Sequence, residues 1–193
     1  MVKSPKLFVV SGPTAAGKGT LLKLLREKRP DLAFPVSATT RSPRAGEIDG
    51  VHYHFISDER FTELVDEDAF LEWAHVHDHR YGTLKSEIED RIASGNSVIL
   101  EIDIQGALNV KRVYPDAVLI FIVAPSIEVM EQRLCARGTE DEDQIRIRLA
   151  TARVELGYAD SYDVVIVNDI RETAAQELAD TISSYENMNG GSE

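Results

Sequence analysis

The sequence is short of several things at once. One cysteine, Cys135, among 193 residues excludes an intrachain disulfide, and within an amphipathic run it reads as an inert thiol on a helix face. Long apolar runs are missing: "LFVV" at 7–10 is too brief for a secretion signal or a membrane span. Positive charge is in deficit, 21 Lys and Arg against 33 Asp and Glu, a formal charge of −12. That field repels polymeric nucleic acid and anionic membrane surfaces. Internal repeats and low-complexity blocks are absent, and only "NMNGGSE" at 187–193 has the composition of a frayed tail. These absences point to a cytoplasmic, single-domain protein. Any polyphosphate it binds must be gripped locally by Lys, Arg and backbone N–H groups.

What is present alternates. "LFVV", "VILEI" (98–102), "VLIFIV" (118–123) and "VVIV" (164–167) are almost continuously apolar, as strands covered on both faces must be. Between and after them run helical patterns: "KGTLLKLLREK", "SIEVMEQRLCAR", "DEDQIRIRLATARVEL" and "TAAQELADTISSYE". The alternation predicts an α/β fold, a parallel sheet with helices on both faces. Thr139 and Glu142 are spaced as a capping box opening the third of these helices, so its acidic run reads as a solvated helix start. From Pro35 to about Thr83 the alternation breaks, with turn signals at "SPRAGEIDG" and most of the His and aromatic residues; this predicts an inserted subdomain.

"VVSGPTAAGKGTLLKLL" (9–25) carries G-x-x-x-x-G-K directly after a strand and at the head of an amphipathic helix. In that context the pattern is a phosphate loop: curled backbone N–H groups and a helix N-terminus surround the anion, and Lys18 adds a full charge. The predicted triphosphate ligands are Gly12, Pro13, Thr14, Ala15, Ala16, Gly17, Lys18, Gly19 and Thr20. Gly19 stands where the strict pattern has a hydroxyl for magnesium, and Thr20 falls one position late on the helical face. Mg2+ accompanying the nucleotide is therefore expected to be held largely through water and phosphate oxygens.

The second ligand is indicated by "SATTRSPRAGEIDGVHYHF" (37–55), "FLEWAHVHDHRYGT" (70–83), "VILEIDIQGA" (98–107), "RGTED" (137–141) and "VVIVND" (164–169). In consistent order over residues 5–186, these resemble the guanylate kinase family; "GKGT" itself is similar to the loop of adenylate kinases. The resemblance implies a P-loop NTPase-type core (5–34 and 84–186), a GMP-binding mixed α+β subdomain (35–83) and a helical lid (133–150). It implies transfer of the ATP γ-phosphoryl group to GMP, and to dGMP beside it, in GMP recycling and GTP supply. Arg41 and Arg44, with Tyr53 and Tyr81, match the grip on the GMP phosphate, and two guanidinium forks with two phenols suit a dianion. Glu72 matches the reader of guanine, accepting from ring N–H and exocyclic amine where adenine would present an acceptor. Ser37, Thr83 and Asp103 match positions near the base, and Asn168 one near adenine. Lys18, Arg41, Arg137 and Arg148 are the candidates for neutralising the migrating group.

Helical geometry adds to this. Arg133 and Arg137, four apart, share a face suited to the ATP phosphates. Arg146 and Arg148 point roughly 200° apart on a helix, so one of them alone faces the site; the resemblance selects Arg148 and leaves Arg146 to a surface ion pair. His75, His77 and His79 alternate, but spacing fixes no further zinc ligand. A GTP-dependent switch is suggested by "DIQG" (103–106), against the absence of N-K-x-D and of the hydroxyl at Gly19. A non-catalytic phosphopeptide-binding module of the same family is disfavoured by the intact Gly17-Lys18 pair.

Overall fold

The apolar runs pair edge to edge into one parallel sheet because a strand without a polar face must be covered on both sides. The computed structural model describes residues 4–76, 78–138 and 140–188, with the side chains of Val76 and Arg137 outside that description. In chain order the elements are β1 (Leu7–Ser11), α1 (Lys18–Lys28), β2 (Ala38–Thr39), β3 (His54–Phe55), α2 (Asp58–Asp66), β4 (Phe70–Val76), β5 (His79–Leu84) and α3 (Lys85–Ala93). There follow β6 (Val98–Glu101), α4 (Ile104–Val113), β7 (Val118–Val123), α5 (Ile127–Arg137), α6 (Glu142–Leu156), β8 (Val164–Val167) and α7 (Arg171–Asn187).

The central sheet has the order β6-β1-β7-β8, every pairing parallel. Successive side chains of a strand face opposite ways, and each face has its own cover. Phe8, Val10, Ile120, Ile122 and Ile166 pack with Leu21, Leu22 and Leu25 of α1 and Leu178 and Ile182 of α7. Leu7, Val9, Leu100, Leu119 and Phe121 pack with Ile88 of α3 and Ile104, Ala107 and Val110 of α4. The four strands and four helices read from the sequence are in place; α2, α3 and α4 are additional.

The inserted segment forms a second, mixed sheet, β3-β2-β5-β4, in which β2 runs parallel to β3 and antiparallel to β5. Phe61 of α2 stacks on Phe70 with 4.4 Å between ring centres, and with Ala38 they form its small core. Register in the β4–β5 hairpin shifts between Phe70 and Glu72, which sets Glu72 directly opposite Thr83. Such irregularities re-aim side chains at functional edges.

Two expectations need correction. The capping box of α6 is formed by Asp141 and Gln144, not by Thr139 and Glu142: Asp141 accepts from the Gln144 N–H at 2.8 Å, and the Gln144 side chain accepts from the Asp141 N–H at 3.1 Å. The helix starts at Glu142, so the cap and its third residue fall two positions later than expected; Thr139 itself lies outside the described residues. At the other end, α7 continues through Asn187, into the stretch read as tail; residues 189–193 lie outside the described residues.

The last helix is clasped by buried charge. Glu186, 3% exposed, accepts from Arg29 Nη2 at 2.9 Å and from Ser97 Oγ at 2.7 Å, and its carbonyl accepts from the Ser4 N–H at 3.0 Å. Removing one partner of a buried pair leaves the other uncompensated, although Asp31 also holds Arg29, at 2.7 Å. Glu186→Ala is expected to destabilise the fold by about 3 kcal/mol, read as a lowered midpoint in urea with an unchanged slope.

Candidate active site

In a parallel α/β sheet, ligands gather at the carboxyl ends of the strands, and all four ends contribute here. β1 runs into the glycine loop, β6 into Glu101 and Asp103, β7 to the floor beneath the loop, and β8 into Asn168. Gly12 has φ +149°, and a Cβ there would stand 2.0 Å from the Ile122 carbonyl oxygen, so glycine alone lets the loop cross β7. Gly17 has φ +89°, and its Cβ would meet Asn168 Nδ2 at 2.3 Å. Ala15 is left-handed without being glycine, φ 58°, and is buried against Met130 and Leu134 of α5. Loop and α5 are thus one packed unit.

The loop is braced from behind. Asn168 Nδ2 donates to the Ala16 carbonyl at 2.8 Å. Arg133 Nη1 donates to the carbonyls of Ala15 and Ala16 at 3.2 and 3.4 Å, and Nη2 to that of Asn168 at 2.7 Å. Arg133 therefore spends its fork on the backbone of the loop, beyond the phosphate role expected of it. Beside this brace lies a cavity of about 610 Å3 lined by Gly17, Thr20, Arg133, Asn168 and Ile170. The Lys18 ammonium donates to the carbonyls of Gly12 and Pro13 at 2.5 and 3.3 Å. A second cavity, about 450 Å3, is walled by Pro13, Thr14, Ala15, Gly17, Lys18, Gly19, Thr20 and Glu101.

Across from the loop, the β4–β5 pairing delivers the base-reading candidates together. Thr83 Oγ1 donates to Glu72 Oε1 at 2.8 Å, and Ser37 Oγ lies 3.5 Å from Thr83 Oγ1. Burial pushes the Glu72 carboxyl above its ordinary range; the Thr83 bond opposes this and the Asp103 charge adds to it. Asp103 is close enough to act, and it also caps α4, accepting from the Gly106 N–H at 2.7 Å. That cap accounts for "DIQG" as the start of a helix. Glu101 lines both the loop cavity and a neighbouring one of about 330 Å3 that includes Ser37, so the two sites adjoin.

Three of the phosphate-grip candidates, Arg41, Tyr53 and Tyr81, converge as well, while Arg44 is exposed and joins them through its backbone N–H. Arg41 Nε donates to Tyr81 Oη at 3.3 Å, the Arg41 guanidinium lies 5.5 Å from the Tyr53 ring centre, and the two tyrosine rings are 5.8 Å apart, edge to face. A residue absent from the sequence reading joins them. Glu47 accepts from Arg41 Nη1 and Nη2, each at 2.9 Å, and from the Arg44 N–H at 2.7 Å. The Arg41 guanidinium holds the Glu47 carboxyl at about 2, helped by the Arg44 N–H, and Glu47 in turn raises Arg41. The signal available was an acidic residue in the turn between two arginines and "YHF".

Other candidates lie further out. Arg148 is half exposed and 3.5 Å from Glu140, and Arg146 pairs at the surface with Asp143 at 3.1 Å. The Arg137 side chain lies outside the described residues, as does His77; His75 and His79 face each other's strands in the β4–β5 hairpin. Among the described residues no group of three or more His, Cys, Asp or Glu side chains could hold a metal ion, and no helix is long and apolar enough to cross a membrane. Missed by sequence was Glu155 of α6. Burial raises its carboxyl, against the pull of the Lys18 ammonium and the Thr14 N–H, which ties the α5–α6 pair to the loop.

A glycine loop at the end of the central strand, with an adjoining cluster of arginine, tyrosine, hydroxyl and carboxylate side chains on an inserted sheet, is the arrangement of a P-loop phosphotransferase. Comparison with known proteins agrees. The family model described as "Guanylate kinase" matches residues 4–185. The chain is 50% identical over 176 residues to a guanylate kinase of Caldanaerobacter subterraneus subsp. tengcongensis, covering 91% of this chain and 85% of that protein. It is 46% identical over 182 residues to one from Mycobacterium sp., covering 93% and 92%. The crystal structure of guanylate kinase from Anaplasma phagocytophilum superposes with a TM-score of 0.71 at 29% identity, over 97% of this chain and 89% of that one. The chain belongs to the guanylate kinase family, whose enzymes phosphorylate GMP to GDP at the expense of ATP.

Proposed function

We propose that the chain works as an ATP:GMP phosphotransferase through two receptors that meet at the sheet's carboxyl edge. Residues 35–83 serve as the acceptor subdomain and 133–150 as the lid. Supporting this above all is the convergence of Ser37, Glu72, Thr83 and Asp103 beside Arg41, Tyr53 and Tyr81, next to the loop cavity. Glu72 accepts from the guanine N1–H and amine; Arg41, Arg44, Tyr53 and Tyr81 hold the monophosphate. That phosphate has a second pKa of about 6, so its attacking oxygen is already largely deprotonated and no general base is needed. The protein's task is to keep two anions in line and neutralise charge on the migrating group.

Lys18 and the loop N–H groups hold the β,γ-phosphates, with Arg137 and Arg148 closing over them from the lid; Arg148 exchanges Glu140 for the nucleotide when it does so. Enzymes of this family use ATP with Mg2+, which supplies further charge neutralisation at the phosphate oxygens. Thr20 and Glu101, which line the loop cavity, suit an ion held through water; the open space around Gly19 offers no direct ligand. dGMP is a further acceptor, since no assigned contact requires the 2′-hydroxyl.

An ADP-release assay with GMP, dGMP, AMP and UMP tests the reading. Turnover is expected with GMP and dGMP, and with AMP and UMP lower by on the order of 10^4. Preference for AMP, or no turnover with any acceptor, overturns it.

A further inference from the structure

A carboxylate seated in a receptor meant for a phosphate is either a competitor or a support, and the geometry decides between them. A guanidinium has two forks: an end-on edge, Nη1 with Nη2, and a side-on edge, Nε with Nη2. Glu47 occupies the end-on edge with both oxygens at 2.9 Å, and the Ser42 carbonyl accepts from Nη1 at 2.8 Å. The side-on edge points the other way, where Nε meets Tyr81 Oη at 3.3 Å, next to the Tyr53 ring.

We propose that Glu47 is a positioning residue for the acceptor site: it grips Arg41 from behind and presents the Nε–Nη2 edge, together with the Tyr81 hydroxyl, to the phosphate of GMP. The same carboxylate holds the Arg44 N–H at 2.7 Å, so one side chain fixes the relative placement of both phosphate-binding arginines. The bidentate pair is well shielded, Arg41 and Glu47 being 11% and 18% exposed, and a planar fork held on one edge loses little further freedom when its other edge binds. A glutamine cannot replace the carboxylate, because its amide sets one donor against the guanidinium donors.

This rests on the reading of Arg41 as a phosphate ligand, and the test separates the two. Dissociation constants for GMP and guanosine are measured by calorimetry for the wild type, Glu47→Gln, Arg41→Ala and the double variant, with Michaelis constants for GMP and ATP alongside. Glu47→Gln is expected to weaken GMP roughly 10- to 100-fold, leave guanosine and the ATP Michaelis constant within about twofold, and cost clearly less in the Arg41→Ala background, where only the Arg44 N–H contact remains to be lost. Unchanged or tighter GMP binding in Glu47→Gln overturns the proposal, tighter binding marking the carboxylate as a competitor. Additive losses in the double variant, or equal losses of GMP and guanosine, overturn it too. Should Arg41→Ala itself leave GMP binding intact, the assignment of the phosphate receptor fails instead.

Discussion

Glu72→Gln is expected to lower kcat/KM for GMP by about 10^2 to 10^3 while the Michaelis constant for ATP stays within about twofold. The carboxylate offers two acceptors to the two donors on the guanine edge; the amide offers one acceptor and one donor, which suits adenine's ring nitrogen and amino group instead. AMP turnover is therefore expected to rise as GMP turnover falls. Thr83 can still donate at 2.8 Å to an amide oxygen in place of Glu72 Oε1, so the hairpin is preserved. Steady-state kinetics with both nucleotides check this; parallel losses for GMP and ATP would move Glu72 out of the acceptor site.

The same residue carries a pH signature with a defined sign. Its folded-state pKa is raised above the ordinary 4.5, chiefly by burial. The ionised carboxylate is thus a cost to the fold: the stability linked to Glu72 is fully present below its unfolded pKa and is lost as pH rises through the raised folded value. At neutral pH Glu72→Gln removes that cost, so the variant should unfold at a higher temperature than the wild type while binding GMP worse. GMP binding, which needs the carboxylate, weakens as pH falls through the raised value, earlier than for an ordinary glutamate. The phosphate of GMP titrates nearby, at about 6, so the relevant quantity is the part of the pH dependence that Glu72→Gln abolishes.

How far the site could be read from sequence followed from how local each feature is. The central strands are continuous apolar runs, and the loop is a contiguous pattern between a strand and a helix; neither needs tertiary information. The pairing of Glu72 with Thr83 needs the register of a hairpin with an irregularity at Phe70–Glu72, which periodicity does not supply, and only the family resemblance placed those residues together. Glu47 and Glu155 escaped because carboxylates in an acidic chain are by default solvated, and what marks these two is the donor each faces. Helical spacing points Arg133 to the phosphates, whereas its bonds to the Ala15, Ala16 and Asn168 carbonyls depend on how α5 docks on the loop. The shifted capping box has a simpler cause, since S/T-x-x-E spacing competes with D-x-x-Q two residues on and the helix start decides.

Lys18→Met is expected to reduce kcat by about 10^3 while leaving the dissociation constant for GMP within about twofold. Methionine keeps the length and apolar stem of lysine and removes the charge, so the packing of the loop against α5 through Ala15 is retained. The ammonium lies against the carbonyls of Gly12 and Pro13, at the mouth of the cavity that the loop and Glu101 enclose. In the proposed reaction it reaches from there to the oxygens on which charge accumulates during transfer, in a protein whose overall field opposes that charge. With −12 formal charges and the Glu155 carboxyl nearby, the overall field does not compensate for its loss. GMP, assigned in the proposed reading to Arg41, Arg44 and Glu72 on the other sheet, should not register the change. Calorimetry with GMP and single-turnover kinetics with ATP separate the two effects. A variant that loses GMP affinity and turnover together would show that the loop shapes the acceptor pocket as well as the donor site, and the division of labour between the two sheets would have to be redrawn.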